Sequence, residues 1–374
     1  MRSLFNQKSI TSKLPTPFTA LKFTFQGFFL CLFLMLFTSC DSTQTYAQNN
    51  KKMLVHSYNY PITPERNDSD KPERFMQIKI KSSIVLKTKE FNTIPVSELS
   101  GLSWDEDEQK LYAVSDEGYI YHLKPHFSSH PSKALKSVNI TFAATLKDSI
   151  GYPLKGKYSD SEGLSLINGN NGIKGDSKLI VSFENKPRIA EYSPSGKLLE
   201  NIEIQKKFKK RKTYRSKNKA LESVTYHPLF GVLTAAELPV KKSDIKNQTL
   251  YAASKGSKKK LWHFKASSAT NSSVTGLETL NDGSILILER AYQNPITPII
   301  ITLRRLHLDK CNKQQECQIE TIARFDGADG WLLDNFEGLA HIRGNEFIMV
   351  SDDNNNPLQK TILVHFEILN TKSQ

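Results

Sequence analysis

The 374-residue sequence lacks a sustained 3.6-residue apolar stripe anywhere past residue 40, which excludes a helical bundle or an α/β sandwich. It lacks long apolar runs as well. The longest, "FFLCLFLMLF", holds ten residues, too few for a helix that spans a bilayer. Gly-x-Ser-x-Gly does not occur, and Ser115, Ser182 and Ser351 have acidic neighbours but no interpretably placed His, which disfavours serine hydrolase chemistry. His227 and His341 are no more than candidates for that role, and His341 reads as a strand residue. Cysteine is scarce: beyond Cys31 and Cys40 there are only Cys311 and Cys317. No His or third Cys lies near that pair, so we read "CNKQQEC" as a disulfide closing a hairpin tip, and not as a metal site. Basic helices and aromatic stacking motifs are also missing, which argues against nucleic acid as a partner.

What is present is repetition. A five-residue slot recurs as "SGLSW" at Ser100, "EGLSL" at Glu162, "ESVTY" at Glu222, "TGLET" at Thr275 and "EGLAH" at Glu337, with steps of 62, 60, 53 and 62 residues. Each copy is followed by a short connection and an apolar strand with an acidic end: "KLYAVSDEG", "KLIVSFEN", "GVLTAAEL", "SILILER" and "FIMVSDDN". Short runs of Val, Ile, Leu, Tyr and Phe separated by Gly, Asn, Asp and Pro are strand signals. A near-constant period of such units builds an all-β β-propeller, each repeat being a blade that cannot bury its faces alone. Two strands fall outside the five copies, at 76–91 and 361–370. We therefore expect a ring of six blades, with five as the alternative if those strands pair at the closure.

The N-terminal 27 residues carry Arg2, Lys8, Lys13 and Lys22 with no acid, and the apolar decamer follows, the pattern of an export signal. "FTSC" resembles a bacterial lipoprotein processing site, with Phe37 where Leu is usual and Cys40 as the lipidated residue. The expected organisation is a signal peptide over 1–39, a polar tether over 40–75 and a propeller over 76–374. The protein is then anchored to a membrane through Cys40, facing periplasm or cell surface, with secretion or an uncleaved anchor as the alternatives. Loss of the four basic signal residues lowers the formal charge from +13 to +9. Much of the remainder sits in "QKKFKKRKTYRSKNK" (205–219) and "KGSKKK" (255–260), read as solvated loops, with anionic headgroups or phosphorylated ligands as the alternative.

A radial arrangement gathers the slot carboxylates and the acidic strand ends near one axis. Glu162, Glu222 and Glu337 come from the slots. Asp116, Glu184, Glu237, Glu289, Asp352 and Asp353 come from the strand ends. Oxygen-only groups at that density call for a hard cation, and we expect Ca2+ held by Asp116, Glu162, Glu184, Glu222, Glu237, Glu289, Glu337 and Asp352. The alternative is that these carboxylates bond turn amides or pair with Arg188, Arg290 and Arg343.

"DSEGLSL", "VSFENKPRIAEY", "LESVTYHP", "GLETLNDGSILILERAY" and "DNFEGLAHI" with "IMVSDDN" together resemble the phytase-like family, known for esterase-like activity of phytase. The likeness runs over roughly residues 93–370, with Ser223 and Val224 replacing the usual Gly-Leu. It implies a propeller hydrolase acting on a small-molecule phosphoester or carboxylic ester. In that setting Glu162, Glu222, Glu337, Arg290 and Arg188 are the candidate catalytic groups, the arginines clamping an oxyanion bidentately, with Lys186 and His227 as lesser candidates. The alternatives are a non-catalytic, surface-anchored binding propeller with structural calcium, or a calcium-dependent lactonase-like propeller. We expect a monomer.

Overall fold

The computed structural model describes residues 57–64, 74–129, 133–216, 219–253, 260–294 and 296–369. The signal peptide, Cys40 and most of the second basic run lie outside them. Four sheets consist of four consecutive antiparallel strands each, and a fifth closes the ring. Blade 1 runs Leu99–Asp105, Lys110–Ser115, Tyr119–Phe127 and Leu135–Thr145. Blade 2 runs Ser161–Ile167, Lys178–Phe183, Arg188–Tyr192 and Leu198–Ile202. Blade 3 runs Leu221–His227, Gly231–Ala236, Asn247–Ala253 and Leu261–Lys265. Blade 4 runs Ser272–Thr279, Ile285–Ala291, Ile300–Cys311 and Cys317–Asp326. The first strand of each is innermost, and each inner strand touches the next around the ring, including that of blade 5 against blade 1.

Blade 5 corrects the expected count of six. Its inner three strands are Asn335–Arg343, Glu346–Asp352 and Ile362–Ile368, and its outer strand is Ile78–Leu86 from the start of the domain. Ile362 pairs with Val85 and Ile368 with Ile78, so the two strands outside the repeats complete one blade between them. Joining the ends of the chain in one sheet removes the edges that an open ring would expose. The expected tether is also partly folded: Ser57–Asn59 pairs with Ile84–Leu86 on the outside of this blade, and Ile62 is buried against it. The domain therefore reaches back at least to Ser57 and not only to residue 76.

Five apolar clusters fill the five gaps between blades. Alternate side chains of one strand enter different clusters. Ile285 and Ile287 face blade 3, while Leu286 and Leu288 face blade 5. Both faces of the second strand of each blade are thus buried, which is why "ILIL" and "FIMV" are continuously apolar instead of alternating. The basic segment 205–216 is not simply solvated: Phe208 and Tyr214 are buried between blades 2 and 3, and the Tyr214 hydroxyl donates to the Phe208 carbonyl at 2.8 Å. Cys311 and Cys317 form a disulfide across the tip of the long blade 4 hairpin.

Candidate metal centre

Every inner strand carries one extra residue relative to its neighbour, and that residue is the slot position. The ladder steps from Leu99–Ser115 to Gly101–Val114, from Leu221–Ala236 to Ser223–Ala235, from Val274–Glu289 to Gly276–Leu288 and from Phe336–Ser351 to Gly338–Val350. In blade 2 the irregularity falls between Ser161 and Leu164. A β-bulge re-aims the side chain at the extra residue. Here it turns Glu162, Glu222 and Glu337 into a common chamber.

The residue after the bulge lets the inner strands meet. A Cβ on Gly101 would stand 2.5 Å from the Glu162 carbonyl oxygen, and one on Gly163 would stand 2.7 Å from the Val224 nitrogen. Slot residues from all five blades pinch the channel to a cavity of about 10 Å³. Above the pinch it opens into a chamber of about 250 Å³. Eight carboxyls line the chamber, namely Asp116, Asp160, Glu162, Glu184, Glu222, Glu237, Glu337 and Asp352, against two cations, Lys219 and Arg290.

Most of these acids are only 2–7 % exposed: Glu162, Glu184, Glu222, Glu237, Glu337 and Asp352. Three overlapping groups bring carboxylate oxygens within 4.8 Å of one another: Asp116 with Glu162 and Glu337, Asp160 with Glu162 and Glu184, and Glu184 with Glu222 and Glu237. Burial, reinforced by Asp116 and Glu222, pushes Glu162 well above the usual carboxylate range. Burial with Glu237 and Glu184 does the same to Glu222, and burial with Glu337 and Asp352 to Asp116. Burial drives Glu184 up to about 8 against the Ala220 N–H that it accepts. Burial and Glu337 drive Asp352 to about 8. A site that disfavours its own ionisation this strongly stores affinity for protons or a cation.

Arg290 is the counterweight. Its Nη1 donates to Glu337 Oε1 at 2.5 Å and to Asn335 Oδ1, and its Nη2 approaches Glu237 Oε1 at 3.4 Å. Burial alone would lower its pKa, but Glu337 and Glu237 outweigh it and hold the guanidinium above its ordinary value. Lys219 Nζ donates to Glu237 Oε1 at 2.7 Å. Asn335 Nδ2 donates to Glu337 Oε1 and Asp352 Oδ2, 3.0 Å each. The donor set is all oxygen, acid-rich and confined, which fits a hard divalent cation better than a soft one.

The structure corrects one expected ligand. Glu289 sits in ladder register with Val274, one residue before the ring position, which Arg290 occupies. Because strand side chains alternate, that single step turns Glu289 away from the chamber. Its carboxylate pairs instead with Arg304, Nη1 to Oε1 3.1 Å, both buried. Asp353 also turns away, accepting from the Glu98 N–H at 3.0 Å, Lys89 Nζ at 2.9 Å and the Thr361 hydroxyl at 3.1 Å. Arg188 does not line the chamber: it donates to the Tyr158 carbonyl and lies 3.5 Å over the Phe183 ring. Arg343 pairs with Glu346 at 2.9 Å. His227 bonds the Gly283 carbonyl, and His341 the Gly344 carbonyl. Ser182 Oγ accepts the Gly163 N–H at 2.9 Å, and Ser351 Oγ donates to the Lys360 carbonyl at 2.6 Å, so both brace bulges or turns.

Five lining residues escaped the sequence reading: Asp160, Asn185, Asn335, Asn354 and Lys219. Asp160 and Asn335 were findable, since each stands two residues before a slot Glu in "DSEGL" and "NFEGL". Lys219 and Asn185 come from connecting loops and carry no repeat signal.

A family model described as phytase-like, esterase-like activity of phytase, matches residues 94–355. No curated protein matches the chain in sequence. Among solved structures, a gluconolactonase from Xanthomonas campestris is similar at 9 % identity and a TM-score of 0.37, over 83 % of this chain and 98 % of that one.

Proposed function

This chain belongs to the phytase-like family, and from that premise we propose that it is a metal-dependent hydrolase of small-molecule esters, phosphoesters included. The observation that carries the reading is the chamber of eight carboxyls closed at one end by the pinched channel. Calcium is the ion we assign to it, with Asp116, Glu162, Glu184, Glu222, Glu237, Glu337 and Asp352 as the groups that would hold it. When bound, such a cation supplies electrostatic stabilisation of a developing oxyanion and makes a nearby water more acidic.

The chain's own residues complete the chemistry. Hydrolysis adds water across the ester bond: the acyl or phosphoryl group gains the oxygen, and the alcohol leaves with a proton. Glu222 and Glu162, ionised when they hold the cation, face the chamber, where either would orient the attacking water and accept its proton for transfer to the leaving alcohol. Arg290, fixed by Glu337 and Asn335 from the next blade, presents a permanent positive charge where negative charge would develop. The one-ended chamber limits water access to one face.

The test is turnover of a panel of phosphoesters and carboxylic esters by purified protein, with and without chelator, alongside elemental analysis for bound metal. Activity abolished by chelator and restored by calcium, and lost in Glu337→Gln with an unchanged fold, is the expected result. Bound calcium with no turnover of any ester would point instead to a binding propeller. Attachment to a membrane through Cys40 is part of the same proposal and rests on the sequence alone; labelling with a radioactive fatty acid, lost in Cys40→Ala, tests it.

A further inference from the structure

A second cavity, about 730 Å³, opens beside the acidic chamber and shares Lys219 and Arg290 with it. Its charge is the reverse. Lys219, Lys246, Lys265 and Arg290 line it, and none of its described lining residues is acidic. Leu238, Pro239, Ile245 and Tyr292 give it an apolar side. The volume lies within the range of small-molecule sites, which combine apolar wall with a few convergent polar groups.

The floor of this cleft is built, not incidental. The segment from Ala266 to Ser273 forms one side, and it is tied from below by Glu289, which accepts the Ser267 N–H while paired to Arg304. The Ala266 N–H donates to the Lys246 carbonyl at 2.8 Å, which fixes the two sides relative to each other. Lys246 and Lys265 are exposed. Lys265 Nζ has a neutral partner, Asn247 Oδ1 at 2.9 Å, so its charge is not neutralised there.

We infer that this basic cleft binds an oxyanion group of the substrate, phosphate or carboxylate, distinct from the bond that is cut, while the carbon body lies against Tyr292 and Ile245. Lys219 and Arg290 are paired with Glu237 and Glu337, so the positive potential that draws an anion into this concave surface comes chiefly from Lys246 and Lys265. Lys219 and Arg290 stand at the junction, where they separate the anionic tail from the acidic chamber. The catalytic consequence rests on the hydrolase reading, but the binding itself does not.

Two arms separate the ideas. Isothermal titration of the full chain with inorganic phosphate, and separately with acetate, at low ionic strength measures the cleft directly and tells the two oxyanion sources apart. Lys246→Glu with Lys265→Glu should weaken binding at least tenfold. Lys174→Glu with Lys313→Glu, the same change in net charge at exposed positions outside the cleft, should leave it within twofold. The milder Lys246→Gln with Lys265→Gln pair should fall between, and thermal melts of all three confirm folding. Equal affinity in wild type and the cleft variants, or equal losses in cleft and control variants, overturns the inference. In the kinetic arm, the cleft variants should raise KM for mono-4-nitrophenyl succinate about tenfold with kcat little changed, and leave KM for neutral 4-nitrophenyl acetate unaffected. Lysine-dependent phosphate binding without turnover of any ester would retain the cleft and reject the hydrolase. An equal rise in KM for both esters would reject the cleft and retain the hydrolase.

Discussion

Arg290 Nη1 lies 2.5 Å from Glu337 Oε1, an ion pair that crosses from blade 4 to blade 5 inside the acidic chamber. The Arg290 side chain is 14 % exposed and that of Glu337 7 %, so the pair is largely shielded from water. Breaking a buried pair by deleting one member leaves the other uncompensated and costs roughly 3 kcal/mol. Arg290→Gln should therefore lower the melting temperature of the metal-free protein. The same substitution makes the chamber more negative, so calcium should raise the melting temperature of the variant more than that of the wild type. Differential scanning fluorimetry with and without calcium decides; an identical calcium response in both proteins would contradict the assignment.

The pH dependence has a definite sign. Glu184 and Asp352 are raised to about 8 in the folded chain, from ordinary values of 4.5 and 3.8, mainly by burial. Folding thus favours their protonated forms. That contribution is fully present below about pH 4 and is lost as pH rises through about 8. The metal-free protein should melt progressively lower from pH 5 to pH 9. A bound cation replaces the protons, so calcium should stabilise more at pH 8.5 than at pH 5.5, with proton release on binding. Melting curves at the two pH values, with and without calcium, check both statements.

Glu289 and Glu222 should part ways under substitution. Glu289→Ala leaves Arg304 buried without its partner and should cost roughly 3 kcal/mol of stability, with the bound-metal stoichiometry intact. Glu222→Gln should do the opposite: it removes a group that is unfavourable when charged, so the metal-free fold survives while calcium affinity falls. Denaturant titration and calorimetric metal titration of the two variants provide the comparison. Lost metal binding in Glu289→Ala with a retained fold would restore it to the ligand set.

The slot glycines are needed for close approach. Gly101→Ala places a methyl 2.5 Å from the Glu162 carbonyl oxygen and 2.7 Å from the Leu164 nitrogen, backbone atoms that cannot move aside cheaply. Overpacking of this kind costs about 1–3 kcal/mol, and the shift should also disturb Glu162 and weaken metal binding. Ser223, which fills the equivalent place in blade 3, should tolerate Gly with a change below about 1 kcal/mol. Urea unfolding of the two variants is the measurement.

Much of this was legible in the chain. Repetition of the slot and of the apolar strand identified a propeller and seven of the eight chamber acids, because each blade solves the same packing problem with the same residues. The misreading of Glu289 came from matching charge type instead of register. Aligned at constant length, "KLYAVSD", "KLIVSFE", "GVLTAAE", "SILILER" and "EFIMVSD" put Arg290, not Glu289, at the seventh place. Arg188 and Arg343 failed for a related reason: nearness to an acid in sequence says nothing about which face a strand side chain takes.

The sequence by itself determined the blade, through its period, its both-sides-buried strands and its charged strand ends, since these follow from local geometry and hydrophobicity. Tertiary structure decided what no single repeat contains. Closure at five blades depends on Ile78–Leu86 finding Ile362–Ile368 across nearly the whole chain. The charge reversal between the acidic chamber and the basic cleft depends on Lys219 and Lys246 arriving from loops and Lys265 from the end of the outer strand of blade 3, positions that share no pattern. Both are long-range pairings, set by which surfaces remain unburied once the blades have formed, and a reading confined to neighbours along the chain has no access to them.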